Sequence, residues 1–239
     1  MLAYFFDPMY FLFVGPFMLL AWWASSKVKG TFRRYNQQQI RSGISGQEAA
    51  ATILRAAGLH DVQIGRVEGM LSDHYNPQTR SVMLSDEILH GRTPAAVAVA
   101  AHECGHALQH QQGYRPMEWR STLVPVVQIG SSLATPLIMG GLILLVLTKA
   151  SFGLYIAMFG VIAFALAVLF HFVTLPVEFD ASARAIRILE QSGIVAEDEM
   201  PGVRKTLYAA GFTYVASALV ALAQLAYFLM LILRAQSED

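Results

Sequence analysis

The sequence predicts a mainly α-helical protein with four transmembrane helices and a membrane-proximal α+β domain. Two observations lead to this prediction. First, the chain of 239 residues is 55% apolar but only 14% charged, whereas a soluble domain carries charge on about a quarter of its residues. Second, the missing charge is concentrated in four uncharged runs, at residues 8–26, 122–148, 150–177 and 206–233. A helix that crosses the hydrocarbon core needs about 20 apolar residues, and the remaining polar sequence is too short to cover four such helices.

The four runs divide the chain into alternating membrane and polar segments. The first run is expected to be a retained anchor, because no basic leader of the kind found in signal peptides precedes it. We expect a first transmembrane helix at 1–24, a polar domain at 25–121, a transmembrane hairpin of two helices at 122–177, a polar helical segment at 178–205, and a fourth transmembrane helix with a short tail at 206–239.

The distribution of lysine and arginine predicts the orientation. Eleven of the 17 lie in the polar domain and four more in the segment 178–205, whereas Lys149 and Arg234 are the remaining two. The positive-inside rule then places both polar segments in the cytoplasm and both termini outside. The basic total equals the acidic total of 17, so the chain lacks the basic surplus that binding to nucleic acid would need. The single cysteine excludes an internal disulfide.

Local signals predict the elements of the polar domain. A polar helix is expected at 28–41, at the level of the lipid headgroups. Strands are expected at 62–67 and 80–85, with a turn at Asn76-Pro77 between them. Two helices have capped ends. The first begins with a capping box of Ser45 and Glu48, covers 49–57 and stops at Gly58. The second begins at Thr93 and Pro94, covers 95–112 and ends at Gly113.

The second capped helix contains His102-Glu103-Cys104-Gly105-His106. Residues four apart lie on one helix face, so both imidazoles can bind a single Zn²⁺. Glu103 lies beside them and can reach a metal-bound water without being a ligand, which is the gluzincin arrangement. The polar domain is therefore predicted to be a zincin-like metallopeptidase domain. Cys104 points to the flank of the helix and is expected to be a packing residue.

A catalytic zinc needs a third protein ligand. Glu178 is the candidate, because the histidine pair precedes the second span and Glu178 follows the third, and two crossings return the chain to the same side. Asp180 is the rival, since it points about 200° away from Glu178 on a helix and both cannot bind from one regular turn. A further alternative is that Glu178 is only a solvated residue at a helix start.

The motif H-E-C-G-H-A-L-Q, with Asp73-His74-Tyr75-Asn76-Pro77 before it and E-F-D-A-S at 178–182 after it, resembles the YugP family of bacterial membrane zinc metallopeptidases. The resemblance covers nearly the whole chain, and more distantly the chain is similar to HtpX-type and CAAX prenyl endopeptidases. It implies a multi-pass protein of the bacterial plasma membrane with one Zn²⁺ per chain, ligated by His102, His106 and Glu178, and with Glu103 as catalytic base. The distant relatives have aspartate four residues after the ligand glutamate, where this chain has Ser182, so Asp180 or Ser182 would hold a ligating histidine.

The predicted reaction is hydrolysis of peptide bonds by a zinc-activated water with a glutamate general base. The substrate would be a protein or peptide, including a membrane-associated one, and the strand at 80–85 could offer its edge to it. The oxyanion candidates are Tyr75, His74 and Arg184, among which the sequence does not choose.

Two other functions compete with this one. An intramembrane protease of the site-2 type would need the histidine helix to cross the bilayer, but its apolar stretch, 95–101, is too short. A non-hydrolytic zinc-binding membrane scaffold or regulatory protein remains open. Small residues such as Gly140 and Gly141 would allow close helix packing within the chain, in a homo-oligomer or against a membrane protein partner.

Overall fold

A computed structural model of the protein describes residues 7–69 and 71–237. These residues form two compact units. One contains the described residues up to Trp23, Trp119–Thr174 and the residues from Tyr214 onward, and the other contains Ala24–Glu118 and Leu175–Thr213. In chain order the elements are α1 (Pro8–Asn36), α2 (Gly46–Ala56), β1 (Gln63–Val67), β2 (His74–Asn76), β3 (Ser81–Ser85), α3 (Asp86–His90), α4 (Pro94–Gln111), α5 (Arg115–Thr148), α6 (Phe152–Ser192) and α7 (Met200–Ser237).

The first unit is built from parts of α1, α5, α6 and α7. Among the described residues, these four helices are long and apolar enough to cross a membrane, as predicted. In each helix, at most 39% of the most apolar stretch of 18 residues is buried. Large apolar side chains such as Leu12, Trp22 and Phe159 are exposed. So much exposed apolar surface is typical of helices that face lipid.

The inner faces of these helices form a small core of their own. A Cβ at Gly141 on α5 would lie 2.6 Å from the carbonyl oxygen of Gly153 on α6, so the two backbones touch there. Gly141 therefore serves packing within the chain, whereas a Cβ at Gly140 would meet nothing within 4 Å. The core consists of Val14, Ile138, Leu142, Ala157, Val161, Tyr227, Phe228, Leu231 and Ile232.

The polar helix expected at 28–41 differs in the structure. It is the continuation of α1, which ends at Asn36, so the predicted end near Arg41 is wrong. Tertiary contacts stop the helix. The backbone N–H of Ile40 donates to the carbonyl of Arg92, and Ile40 is buried in the core of the second unit together with Phe32 and Tyr35.

The capping box at the start of α2 is confirmed. The Ser45 hydroxyl accepts from the backbone N–H of Glu48 at 3.2 Å, and the Glu48 carboxylate accepts from the backbone N–H of Ser45 at 2.7 Å. Gly58, two residues beyond α2, has φ of +73°, a conformation that favours glycine at helix ends. Alanine and isoleucine side chains of α2 are buried in the core of the second unit.

The small sheet has the strand order β1-β3-β2, with β1 parallel and β2 antiparallel to β3. The prediction that the strand at 80–85 offers a free edge is wrong, because β3 is the central strand. Residues Ser81, Val82 and Met83 have a partner on each side. Neither β2 nor α3 could be recognised from the sequence, since each is too short to show a hydrophobic period.

Helix α4 has the predicted start and end within one residue. The Thr93 hydroxyl accepts from the backbone N–H of Ala96 at 3.1 Å, Pro94 is the first helical residue, and Gly113, two residues beyond the helix, has φ of +60°. Small side chains cover most of its surface, and nearly every residue from Pro94 to Gln109 is buried. Because α4 is packed on several sides, it holds its polar residues in defined positions.

Candidate metal centre

The two histidines of the H-E-x-x-H sequence lie next to each other on α4. The centroids of the His102 and His106 rings are 4.7 Å apart, as the i, i+4 spacing predicts. The His102 side chain is 15% exposed and that of His106 is 8% exposed. The pair is therefore close to the surface but largely shielded from water.

Helix α6 brings Glu178 to this pair. Its Oε2 lies 3.2 Å from Nε2 of His102 and 3.7 Å from Nε2 of His106. Glu178 is 1% exposed and lies in the interior of α6, so the alternative of a solvated residue at a helix start is wrong. One ligand atom from each of the three side chains lies within 4.8 Å of the other two.

The three side chains fit one zinc ion in chemistry and in spacing. Imidazole nitrogen and carboxylate oxygen are both zinc ligands, and two such ligands on a tetrahedral zinc lie about 3.3–3.5 Å apart. The distances of 3.2 Å and 3.7 Å to the Glu178 oxygen bracket that spacing. Two histidines and one glutamate also leave a fourth coordination position for chemistry.

Gly105 allows α6 to come this close to α4. A Cβ at this position would lie 2.6 Å from the carbonyl oxygen of Ala181, a distance that real Cβ atoms essentially never show. Ala181 is three residues after Glu178 on the same helix. The absence of a side chain at Gly105 therefore allows the approach that brings Glu178 to the histidines.

Glu103 is buried beside the cluster. Burial raises the pKa of its carboxyl to about 7, and the negative charges of Glu178 and Asp73 add to the rise while His102 and the Tyr75 backbone N–H oppose it. The efficiency of a general base is greatest when its pKa lies near the working pH. The surroundings of Glu103 therefore suit a group that takes up and releases a proton.

Each histidine is held through its other ring nitrogen. The Ser182 hydroxyl lies 3.1 Å from Nδ1 of His102, and Oε1 of Gln109 lies 2.9 Å from Nδ1 of His106. Asp180 does not join the ligand cluster. Its Oδ2 accepts from Nε2 of Gln109 at 2.8 Å and thereby supports His106 indirectly.

Gln109 was not among the site residues predicted from the sequence. A signal was present, because a glutamine three residues after a ligating histidine lies on the same side of the helix, one turn further on. Its neighbours Gln111 and Gln112, five and six residues after His106, do not share that side and are both exposed.

The three oxyanion candidates make hydrogen bonds to residues other than the three candidate metal ligands. Nδ1 of His74 bonds to the carbonyl of Ser72, and the Tyr75 hydroxyl lies 2.8 Å from Nδ1 of His110. The third candidate, Arg184, donates to the Asp180 carboxylate and to the Gln112 side-chain oxygen, both at 2.5 Å.

Cys104 lies on another face of α4 and is fully buried. Its Sγ faces the carbonyl oxygen of Ala50 on α2 at 3.8 Å. Burial raises the pKa of the thiol, which keeps it protonated. Cys104 thus contributes to packing, as predicted, and a protonated thiol is a poor metal ligand and nucleophile.

Fold and site together define a class of protein: its described residues contain four helices able to span a membrane and a candidate metal centre of two histidines and one glutamate, next to the glutamate of an H-E-x-x-H sequence. A family model described as "Putative neutral zinc metallopeptidase" matches residues 10–233. A curated relative named "Putative membrane protease YugP", from Bacillus subtilis (strain 168), is 43% identical over 220 residues, which cover 92% of this chain and 95% of that relative. The chain belongs to this zinc metallopeptidase family, the YugP family that its motifs resemble.

No solved structure matches the chain significantly. The similarity to a membrane protease agrees with the four apolar helices and supports a location in the membrane. The family also implies zinc as the metal for the cluster of His102, His106 and Glu178.

Proposed function

We propose that this protein is a membrane-embedded zinc metallopeptidase of the gluzincin type, with one zinc ion per chain. His102, His106 and Glu178 would hold the metal, and Glu103 would be the general base. The observation that carries the proposal is the convergence of three ligand atoms within 4.8 Å of one another. It is supported by the buried carboxyl of Glu103 beside them.

Zinc, when bound there, supplies a Lewis acid that acidifies water and polarises the scissile carbonyl. The chain's own contribution is proton transfer and orientation. The Glu103 carboxylate removes the proton from the attacking water and delivers it to the nitrogen of the leaving amine. Ser182 and Gln109 hold the two imidazoles so that both Nε2 atoms face Glu178.

The arrangement in the cell forms part of the proposal. The zincin-like catalytic domain at 25–121 and the segment at 178–205 would face the cytoplasm, with both termini outside. Fifteen of the 17 lysines and arginines lie in these two segments, which supports this orientation. We propose a protein or peptide substrate, including one that is itself associated with the bilayer.

The proposal is tested with the purified full-length protein in detergent. Glu103→Gln keeps the shape of the side chain but removes the base. We expect zinc content to stay at the wild-type value while cleavage of casein or a quenched fluorescent peptide falls by several orders of magnitude. Glu197→Gln is the matched control, because Glu197 is exposed in the loop before α7 and should leave both quantities unchanged.

Removal of the metal separates the enzyme from the scaffold alternative. A chelator should abolish cleavage and added zinc should restore it. A wild-type protein that holds one zinc per chain, yet cleaves neither these substrates nor partners trapped by Glu103→Gln, would favour a non-hydrolytic scaffold. Undiminished cleavage by the Glu103→Gln protein would remove Glu103 from the role of base.

A further inference from the structure

Gln109 is a buried polar residue whose every hydrogen-bonding group has a partner. Its side chain is fully buried, one turn after His106 on α4. Oε1 lies 2.9 Å from Nδ1 of His106, and Nε2 lies 2.8 Å from both the carbonyl oxygen of Val177 and Oδ2 of Asp180. A polar group left without a partner at such a buried site is strongly unfavourable, so this set of partners determines how the amide is oriented.

The partners leave one orientation for the amide. The carbonyl oxygen of Val177 can only accept a hydrogen bond. Oδ2 of Asp180 also accepts one from Nε of Arg184 at 2.5 Å. Both groups on this side are therefore acceptors, and the amide must present its NH₂ group to them and its oxygen to His106.

This orientation determines which ring nitrogen of His106 carries the hydrogen. An amide oxygen only accepts, so Nδ1 of His106 must donate to it. In the neutral ring the lone pair then lies on Nε2, the nitrogen that faces Glu178 at 3.7 Å. Nε2 with a lone pair is the form of histidine that can bind a metal.

We propose that Gln109 is a positioning residue that fixes His106 in the Nδ1–H tautomer, and that Asp180, itself bound by Arg184, holds the amide of Gln109 in the orientation that does so. The effect on metal binding rests on the proposed function, because it requires His106 to be a ligand. The tautomer itself does not depend on it.

His102 has a different kind of partner. The Ser182 hydroxyl at its Nδ1 can donate or accept, so it does not by itself select a tautomer. The two histidines are thus held unequally, and the effect we assign to Gln109 concerns His106 alone.

The first test uses the wild-type full chain, metal-free, in detergent and at mildly alkaline pH. With ¹⁵N-labelled histidine, the nitrogen chemical shifts of His106, assigned by their loss in His106→Asn, report which nitrogen is protonated. We expect hydrogen on Nδ1 and none on Nε2. A neutral His106 with its hydrogen on Nε2, or an equal mixture, would overturn the proposal.

The second test compares zinc affinities measured by competition with a chromogenic chelator. Gln109→Met keeps the length of the side chain but removes its hydrogen bonds, and we expect affinity to fall about 10- to 100-fold. Gln111→Met is the matched control, because Gln111 is exposed on the same helix and makes one long contact of 3.4 Å to Ala57. Equal affinity of Gln109→Met and wild type would contradict the proposal.

A rescue experiment separates positioning from simple packing. Gln109→Glu still accepts from His106 but faces the Asp180 carboxylate, so it should bind zinc more weakly. Adding Asp180→Asn restores a donor to that contact, and part of the affinity should return, because in both variants a carboxylate oxygen at position 109 still faces the Val177 carbonyl. If the double variant binds zinc no more tightly than Gln109→Glu alone, the proposed role of Asp180 is contradicted. This comparison does not need Gln109→Met, so it holds even if that variant fails to fold.

These outcomes distinguish the two proposals. If His106 has the expected tautomer but the wild-type protein binds no zinc, the proposed function fails and the role of Gln109 in setting the tautomer stands. If zinc binds and the tautomer is the other one, the role of Gln109 fails while the metal site stands.

Discussion

Replacing Gly105 with alanine tests whether the contact between α4 and α6 builds the metal centre. The new Cβ would lie 2.6 Å from the carbonyl oxygen of Ala181. An ordinary carbon–oxygen contact is about 3.3 Å, so the helices must separate locally by roughly 0.7 Å. Zinc–ligand distances in working sites lie within about 0.2 Å of their usual values. Because Glu178 is one turn from Ala181, the separation would carry the carboxylate out of range of the two imidazoles.

We therefore expect Gly105→Ala to weaken zinc binding at least about tenfold, comparable to the loss of a residue that supports a ligand. Overpacking should also lower the free energy of unfolding by about 1–3 kcal/mol. Zinc content by mass spectrometry after dialysis, affinity by chelator competition and helix content by circular dichroism would measure these effects.

The matched control is Gly30→Ala. Gly30 lies inside α1, where a Cβ would meet nothing within 4 Å. Alanine favours a helix over glycine by about 1 kcal/mol, so this variant should be as stable as the wild type or more so, with normal zinc binding. Wild-type zinc affinity in Gly105→Ala would refute the reasoning, because it would show that the close approach does not hold Glu178 in place.

Two further predictions concern the composition of the site. Glu178→Ala should empty it of zinc, whereas Asp180→Ala should weaken binding but leave measurable zinc after purification, and the opposite result would exchange their assignments. Cys104→Ala should keep full zinc content and cost about 1 kcal/mol of stability, since it removes one buried sulfur from the contact with α2. Loss of metal from that variant would show that the thiol takes part in binding.

Local signals in the sequence predicted much of the fold. The four apolar runs correspond to four long helices, because the length and apolarity needed to cross a membrane are properties of a single segment. The capping residues Ser45 and Thr93 were recognised for the same reason, since a cap acts on backbone groups two or three residues away.

The errors arose where distant parts of the chain compete with local preference. The polar continuation of α1 ends at Asn36 because Ile40 is drawn into a core that later segments build. β3 is the central strand because β2 pairs with it. β2 has only three residues and shows no hydrophobic period from which this pairing could be predicted. Strand order is a property of the pairing and not of any one strand.

The candidate site divides in the same way. The spacing of His102 and His106 follows from helix geometry, so the sequence alone determined that one ion could contact both. Glu178 lies 76 residues after His102. Its place among the metal ligands was expected only because two membrane crossings return the chain to the same side, and Asp180 was an alternative. Tertiary structure decided between the two carboxylates, bringing Glu178 to the imidazoles and Asp180 to Gln109. It did so because Gly105 lets two helix backbones touch, and such a contact exists only when both helices are in place.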